Sequence, residues 1–409
     1  MRILVATQSY YPKTNGQAVF AVNLAEGLAD KGHHILVVMP SARIRAYETR
    51  KNSVEISAIS AVPLIPFDAN VHVTPRPGPQ IEPILEEFEP DVVHVQDHYP
   101  LCHSIVKTAK QRGFPLVGTN HFLPRNMIPF FPFLPKFPRG RKFLEKLLWK
   151  SVLITYNHLN AVTAPTETAA EILRHHGLRV PVHAITCGVD LDRFHPNPTT
   201  DRTRVLARYG LDPNCTTFLY VGRVDQDKGL DILIRSFHFV KRRDLQLAIA
   251  GHGHFVKSLR ALVKELNLDE QVVFTGYVPA SDLPALYNSV SFFAMPSEAE
   301  LQSIATLEAM GTGRPVLAAN ANALPELVKD GLNGCLFKPG DPHDAARCIN
   351  QLVEEGDSWE AMSTASLEIV HPHHIGHMLH DYIHLYDLVI QGAPSYVEPL
   401  PMSQGDTQA

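Results

Sequence analysis

The sequence predicts an α/β protein made of two doubly wound domains that face a central cleft. Three observations carry this prediction. The chain has 409 residues, too many for one ordinary core and enough for two of about 200 each. Short apolar runs alternate with amphipathic stretches, the pattern of parallel sheets covered by helices on both faces. That alternation stops in one loop rich in Pro, Asn and Thr, and then starts again.

Taken in order, Ile3–Thr7 reads as a buried strand. A loop with Pro12, Asn15 and Gly16 leads into helix Ala18–Asp30, whose apolar residues repeat at helical spacing and which Gly32 ends. Strands follow at Ile35–Met39, Val54–Ala58, Val92–Gln96, Leu116–Thr119, Ala161–Ala164 and Val182–Ile185. The loop from Cys187 to Arg204, with Pro196, Asn197, Pro198, Thr199 and Thr200, is the linker candidate. The second series begins with strand Phe218–Val221 and helix Gly229–Val240. It continues with strand Leu245–Ala250, helix Phe255–Leu266, strand Val272–Thr275, helix Leu283–Asn288 and strand Val290–Met295. Helix Ser303–Met310, strand Val316–Ala319 and helix Leu324–Lys329 complete it, and helix His377–Leu388 lies beyond. The predicted bounds are 1–188 and 204–370 for the domains, 371–390 for the last helix, and 391–409 for a Pro-, Ser- and Gly-rich tail expected to be disordered.

Composition is that of an ordinary soluble protein, with 45% hydrophobic and 19% charged residues. A formal net charge of −5 argues against a general nucleic-acid binder. Cys102, Cys187, Cys215, Cys335 and Cys348 are scattered without a C-x-x-C, which reads as reduced thiols in a cytoplasmic protein. The opening apolar run, Ile3 to Ala6, is too short for a signal peptide, and no stretch is long enough to span a bilayer.

Ligands of doubly wound sheets bind outside the carboxyl ends of the strands, so candidate residues are sought there. Gly222-Arg223-Val224-Asp225-Gln226-Asp227-Lys228-Gly229 sits at a strand-to-helix turn. Arg223 can fork two phosphate oxygens and Lys228 adds a second cation, a pair suited to a diphosphate leaving group. Taken alone, the two read as surface cations of a solvated loop. Glu300 and Glu308 stand eight residues apart, one after a strand and one two turns into the next helix. They can form an acid/base pair, or accept hydrogen bonds from sugar hydroxyls and a ribose. Free amides in that helix's first turn suit an anion. His121, in Val117-Gly118-Thr119-Asn120-His121, ends a strand facing the cleft; His94 and His98 rank below it. Asn15-Gly16 offers close backbone approach. Gly251-His252-Gly253 lacks the third glycine of a dinucleotide loop, Val256 standing there, so a nicotinamide enzyme is poorly supported. His371, His373, His374, His377, His380 and His384 have no H-E-x-x-H among them and read as structural or surface residues rather than metal ligands.

Between residues 130 and 150, Lys136, Arg139, Arg141, Lys142, Lys146 and Lys150 face one acid, Glu145, with Phe130, Phe131, Phe133, Phe137, Phe143 and Trp149 interleaved. This stretch reads either as an anionic-membrane surface or as a Pro-rich loop leading into an ordinary amphipathic helix.

These residues, in this order, resemble the retaining GT-B glycosyltransferases of family 4. The similarity covers nearly the whole chain. It includes Gly32-His33, Gly222-Arg223 with Lys228-Gly229, Gly276, the glutamate pair with Glu308-Ala309-Met310, and Gly313-Arg314-Pro315-Val316. Pro325-Glu326-Leu327-Val328, Gly331-Leu332-Asn333-Gly334 and Pro339-Gly340-Asp341 complete it. The resemblance implies two Rossmann-like domains, the first on the acceptor side and the second holding a nucleotide sugar such as UDP-glucose. It implies Arg223 and Lys228 on the diphosphate, Glu308 on the ribose, and Glu300 with Gln302 and Ser303 at the donor sugar. Gly16 approaches from the first domain, and His121 matches the active-site histidine. It further implies no metal or other cofactor, retention by front-side attack, and a last helix that crosses back to the first domain.

Where many members carry Glu-x-Phe-Gly, this chain has Glu300-Leu301-Gln302-Ser303. That looks closer to the Thr-Glu-Thr-Gln-Gly of diacylglycerol glucosyltransferases, as does Thr119-Asn120-His121-Phe122-Leu123-Pro124. Ser303 departs from glycine. The expectation is a hexosyltransferase acting on a lipid acceptor at the cytoplasmic membrane face, peripheral on the inner leaflet. A soluble sugar acceptor, or a catalytically silent nucleotide-sugar-binding protein, are the alternatives.

Overall fold

The structure, a computed structural model, describes residues 1–11, 15–64, 68–127, 138–240, 242–354 and 356–392. Two parallel sheets form two lobes, as the alternation predicts. The first lobe contributes β1 (Arg2–Ala6), β2 (His34–Pro40), β3 (Tyr47–Lys51), β4 (Val54–Ile59), the separate hairpin β5 (Val62–Leu64) and β6 (Asp68–Val73), β7 (Val92–Val95), β8 (Leu116–Thr119), β9 (Ala161–Ala164) and β10 (Val182–Ala184). The second contributes β11 (Thr216–Val221), β12 (Leu245–Ala250), β13 (Val272–Gly276), β14 (Phe292–Met295), β15 (Val316–Ala319) and β16 (Gly334–Phe337).

The first sheet runs β10-β9-β8-β7-β1-β2-β4-β3, and only β3 is antiparallel to its neighbour. The second runs β13-β12-β11-β14-β15-β16 and is parallel throughout. Strand order reverses between β1 and β7 in one sheet and between β11 and β14 in the other. Each reversal opens a crevice at the carboxyl ends of those strands, where this architecture binds ligands.

Strands buried on both faces read as continuous apolar runs, which explains why Leu245-Gln246-Leu247-Ala248-Ile249-Ala250 was legible. The polar edge strand β3, Tyr47-Glu48-Thr49-Arg50-Lys51, carries no such signal. The tail beyond residue 392 lies outside the described residues, as does most of the Pro-rich part of the 130–150 stretch.

Helix Ile375–Ile390 leaves the second lobe and packs on the first. Met378, Leu379, Tyr382, Leu385, Tyr386 and Val389 share a buried cluster with Ile3, Val5, Phe20 and Leu24. The two crossings between lobes lie side by side: Val189 N–H donates to His373 O at 2.8 Å, and Ile375 N–H donates to Val189 O at 2.9 Å.

One sequence expectation is overturned. Cys335 and Cys348 are joined as a disulfide between β16 and helix Pro342–Glu354, with Cα atoms 5.6 Å apart. The scattered spacing concealed a pair that the fold brings together, while Cys102, Cys187 and Cys215 are free. Denatured without reductant, the protein is expected to react with three thiol equivalents, rising to five after reduction. Five equivalents before reduction would remove the bridge.

Candidate active site

The second-lobe half of the site forms at the β11/β14 reversal. β11 ends at Val221, and the chain turns through Gly222 and Arg223 to a short 3-10 turn, Gln226–Lys228. Two glycines make this turn possible. Gly229 has φ +65°, and a Cβ there would lie 2.6 Å from Pro296 O. A Cβ on Gly251 would lie 1.8 Å from Gly222 O. The ends of β11, β12 and β14 therefore approach backbone to backbone.

Lys228 Nζ lies 2.8 Å from Glu300 Oε1 and 3.5 Å from Asp227 Oδ2. Both members of the main pair are largely buried, at 13% and 14% side-chain exposure, so the contact is not a surface ion pair. Burial pushes the Lys228 ammonium down, but the charges of Glu300 and Asp227 outweigh it and its pKa is raised. Burial likewise pushes Glu300 up, and Lys228, the Ser297 hydroxyl and Arg223 outweigh that, leaving the carboxyl below its ordinary value. Arg223 pairs with Asp225 and, at 3.5 Å, with Asp227. The sequence reading missed these aspartates as counter-charges. They hold the two cations in place.

Glu308, on helix Ile304–Gly311, accepts a hydrogen bond from the buried Tyr287 hydroxyl at 3.0 Å. Its neighbours at the helix start serve the fold. Ser303 caps the helix, its Oγ accepting from Thr306 N–H at 3.2 Å and from the Thr306 hydroxyl at 2.8 Å. One first-turn amide expected to be free for an anion is thus taken. Gln302 Oε1 accepts from Cys187 N–H at 2.7 Å, tying this segment to the crossing between lobes. Its buried Nε2 has no hydrogen-bond partner among the described residues.

The segment reaches the first lobe. Ala299 and Leu301, on either side of Glu300, belong to that lobe's buried cluster, and Leu301 O accepts from the Thr166 hydroxyl at 2.9 Å. The glutamate pair is therefore held at the boundary of the two lobes.

The first-lobe half forms at the β1/β7 reversal. Gly16 opens helix Gly16–Asp30 behind the Asn15 cap; it is exposed, and nothing lies within 4 Å of where its Cβ would be. Gln17 Nε2 donates to Asp97 Oδ2 at 3.0 Å, and Asp97 also accepts from Gln8 N–H at 2.7 Å. His121 follows β8, its ring packed against Phe20 at 4.6 Å between centroids. Its Nε2 lies 3.1 Å from Gln96 Oε1, and burial lowers its pKa to about 3, so the ring is neutral.

Four of the other candidate histidines have partners within the fold. His94 is buried between Tyr386 and Thr119, and His98 packs on Tyr99 and Phe122. In the C-terminal cluster His374 caps its helix and His373 bonds the Thr186 hydroxyl at 2.8 Å. No group of three or more His, Cys, Asp or Glu among the described residues could hold a metal ion.

Two family models match the chain. "Glycosyltransferase Family 4" covers residues 14–193, and "Glycosyl transferases group 1" covers residues 201–368. The protein is a GT-B glycosyltransferase. It is 23% identical over 387 residues to an alpha-monoglucosyldiacylglycerol synthase of Streptococcus pneumoniae, covering 93% of this chain and 85% of that one. It is 26% identical over 379 residues to a GDP-mannose-dependent alpha-mannosyltransferase of Corynebacterium glutamicum, covering 90% and 84%. Among solved structures, Anabaena Alr3699/HepE in complex with UDP-glucose superposes with a TM-score of 0.74 at 20% identity, covering 93% of this GT-B chain and 98% of that one.

Proposed function

We propose that this glycosyltransferase moves a hexosyl unit, with retention, from a nucleotide sugar such as UDP-glucose to a lipid hydroxyl such as that of diacylglycerol. The observation that carries the donor half is the buried Lys228–Glu300 pair at the β11/β14 reversal, with Arg223 beside it. An incoming diphosphate exchanges with Asp225 and Asp227 for Arg223 and Lys228. Glu308 takes the ribose and Glu300 a sugar hydroxyl, with Gln302, Ser303 and Gly16 lining the donor. His121, as a neutral imidazole, hydrogen-bonds the transferred sugar. The bond from the anomeric carbon to the diphosphate breaks while the acceptor oxygen bonds the same face. The acceptor proton passes to the departing phosphate oxygen. Catalysis is then positioning and leaving-group stabilisation by Arg223 and Lys228, without a metal.

The lipid half rests on helix Pro138–Tyr156. Leu144, Trp149, Val152 and Tyr156 pack inward. Phe143, Leu147 and Ile154 point out, at 68%, 52% and 46% exposure, with Arg141, Lys142, Lys146 and Lys150 also exposed. An outward face of apolar residues flanked by cations suits an anionic bilayer interface. The S. pneumoniae relative is named for a glycolipid product. No described helix is long and apolar enough to cross a membrane; the proposed contact is with the surface of the inner leaflet.

Incubation with a panel of nucleotide sugars and of lipid and soluble acceptors, in EDTA and read by mass spectrometry, tests the reading. A glycolipid in the organic phase is expected. Product confined to the aqueous phase would exclude the lipid acceptor, and donor binding without any product would exclude turnover.

Replacing Lys142, Lys146 and Lys150 together by Glu removes about 1 kcal/mol of attraction per lysine. Binding to anionic liposomes is expected to weaken about 100-fold, since about 1.4 kcal/mol is tenfold. Unchanged co-sedimentation would sink the membrane face.

A further inference from the structure

We propose that Gln96 couples the tautomers of His121 and His94, and that Tyr386, on the helix Ile375–Ile390, thereby helps to orient the active-site histidine. The carboxamide of Gln96 stands between the two imidazoles. Its Oε1 is 3.1 Å from His121 Nε2, and its Nε2 is 3.3 Å from His94 Nε2. One end of an amide only accepts and the other only donates. Of the two ring nitrogens that face it, one therefore carries a proton and the other does not.

With the Gln96 oxygen towards His121, His121 is protonated at Nε2 and keeps its Nδ1 lone pair. His94 Nε2 is then an acceptor, and its proton sits on Nδ1, which lies 2.6 Å from the Tyr386 hydroxyl. The Thr119 hydroxyl, 2.7 Å from His94 Nε2, is in that assignment a second donor to it. Thr119 also lies 2.7 Å from the Thr163 hydroxyl and 3.1 Å from the Tyr382 hydroxyl, either of which can donate to it. Gln96, His94, Thr119, Thr163, Tyr382 and Tyr386 are each at most 1% exposed. The bonds on the His94 side are closed to water, while the His121–Gln96 bond is partly buried, so a mismatched proton at His94 would leave a buried polar group unpaired.

Gln96, His94 and Tyr386 are positioning residues. Their role in turnover rests on His121 meeting the donor sugar, but the tautomers can be read without substrate. In the full-length protein labelled with 15N at histidine, two-bond proton–nitrogen correlation spectra are expected to show His121 as the Nε2–H form and His94 as the Nδ1–H form. Gln96→Leu should convert His121 to a mixture of forms and lower kcat about 10- to 100-fold, as expected for a misplaced group, with little change in donor KM. If that variant fails to fold, Gln96→Glu has nearly the same shape. Its carboxylate still accepts from His121 but cannot donate to His94. His94 should then shift to the Nε2–H or doubly protonated form while His121 stays put. Tyr386→Phe should loosen the His94 assignment and pass a smaller change to His121. The same tautomer at both histidines, or a His121 spectrum unmoved in Gln96→Leu and a His94 spectrum unmoved in Gln96→Glu, would overturn the coupling. Coupled tautomers with undiminished kcat in Gln96→Leu would keep the coupling and remove its catalytic consequence.

Discussion

Lys228→Ala is expected to lower turnover by about 10²–10³-fold, the range for loss of one preorganised donor aimed at developing negative charge. It should also destabilise the second lobe by about 3 kcal/mol, because Glu300 would remain buried without its partner. The double variant Lys228→Ala/Glu300→Gln separates the two effects. It carries no unpaired charge, so the melting temperature should recover while turnover does not. Lys228→Ala activity within threefold of the native enzyme would remove Lys228 from the diphosphate site. The pair also sets a pH window. Glu300 titrates below its ordinary value near 4.5, so its stabilisation is fully present above that value and lost as pH falls through the depressed one. Lys228 titrates above its ordinary value near 10.5, so its share is present below that value and lost as pH rises through the elevated one. Between these limits the contact should be insensitive to pH.

Glu308→Ala should weaken donor binding about 10- to 100-fold, because a charged hydrogen bond is worth about 1.5–3 kcal/mol. Comparing a nucleoside diphosphate with its 2′,3′-dideoxy counterpart by calorimetry, using UDP and GDP in turn, tests the ribose assignment. The native enzyme should prefer the ribose form, and the variant should not distinguish the two. A preference that survives in the variant would assign the ribose elsewhere. Stability is a separate matter, because Tyr287 also loses its acceptor. Glu308→Gln retains an oxygen for that hydroxyl and serves as the folding control.

Much of this was legible from the residues. Parallel strands buried on both faces announce themselves as apolar runs, and the end of each run marks where a ligand can bind. Glu300 and Lys228 are 72 positions apart, yet each follows such a run and the structure places them in contact. Elements with a polar or Pro-marked sequence were harder to see. Tyr47–Lys51 is an exposed edge, and helix Gly78–Phe88 contains Pro83. The counter-charges Asp225 and Asp227 look like ordinary loop acids until the turn folds Arg223 and Lys228 back onto them. Gln96 read only as the last residue of a strand. Its meaning depends on His121 and on Tyr386, 290 residues further on, and no local pattern reports such a pairing. The disulfide was missed for the same reason: proximity came from the fold and not from spacing.

The last helix has a consequence for how the protein is made. Tyr382, Tyr386 and their neighbours are part of the first lobe's core, yet the ribosome delivers them only after the whole second lobe. While the second lobe is still emerging, the first waits with one wall missing and Ile3, Val5 and Phe20 uncovered. Its completion waits on synthesis of the second, and a nascent chain stalled before Ile375 should be a target for chaperones that hold exposed apolar surface.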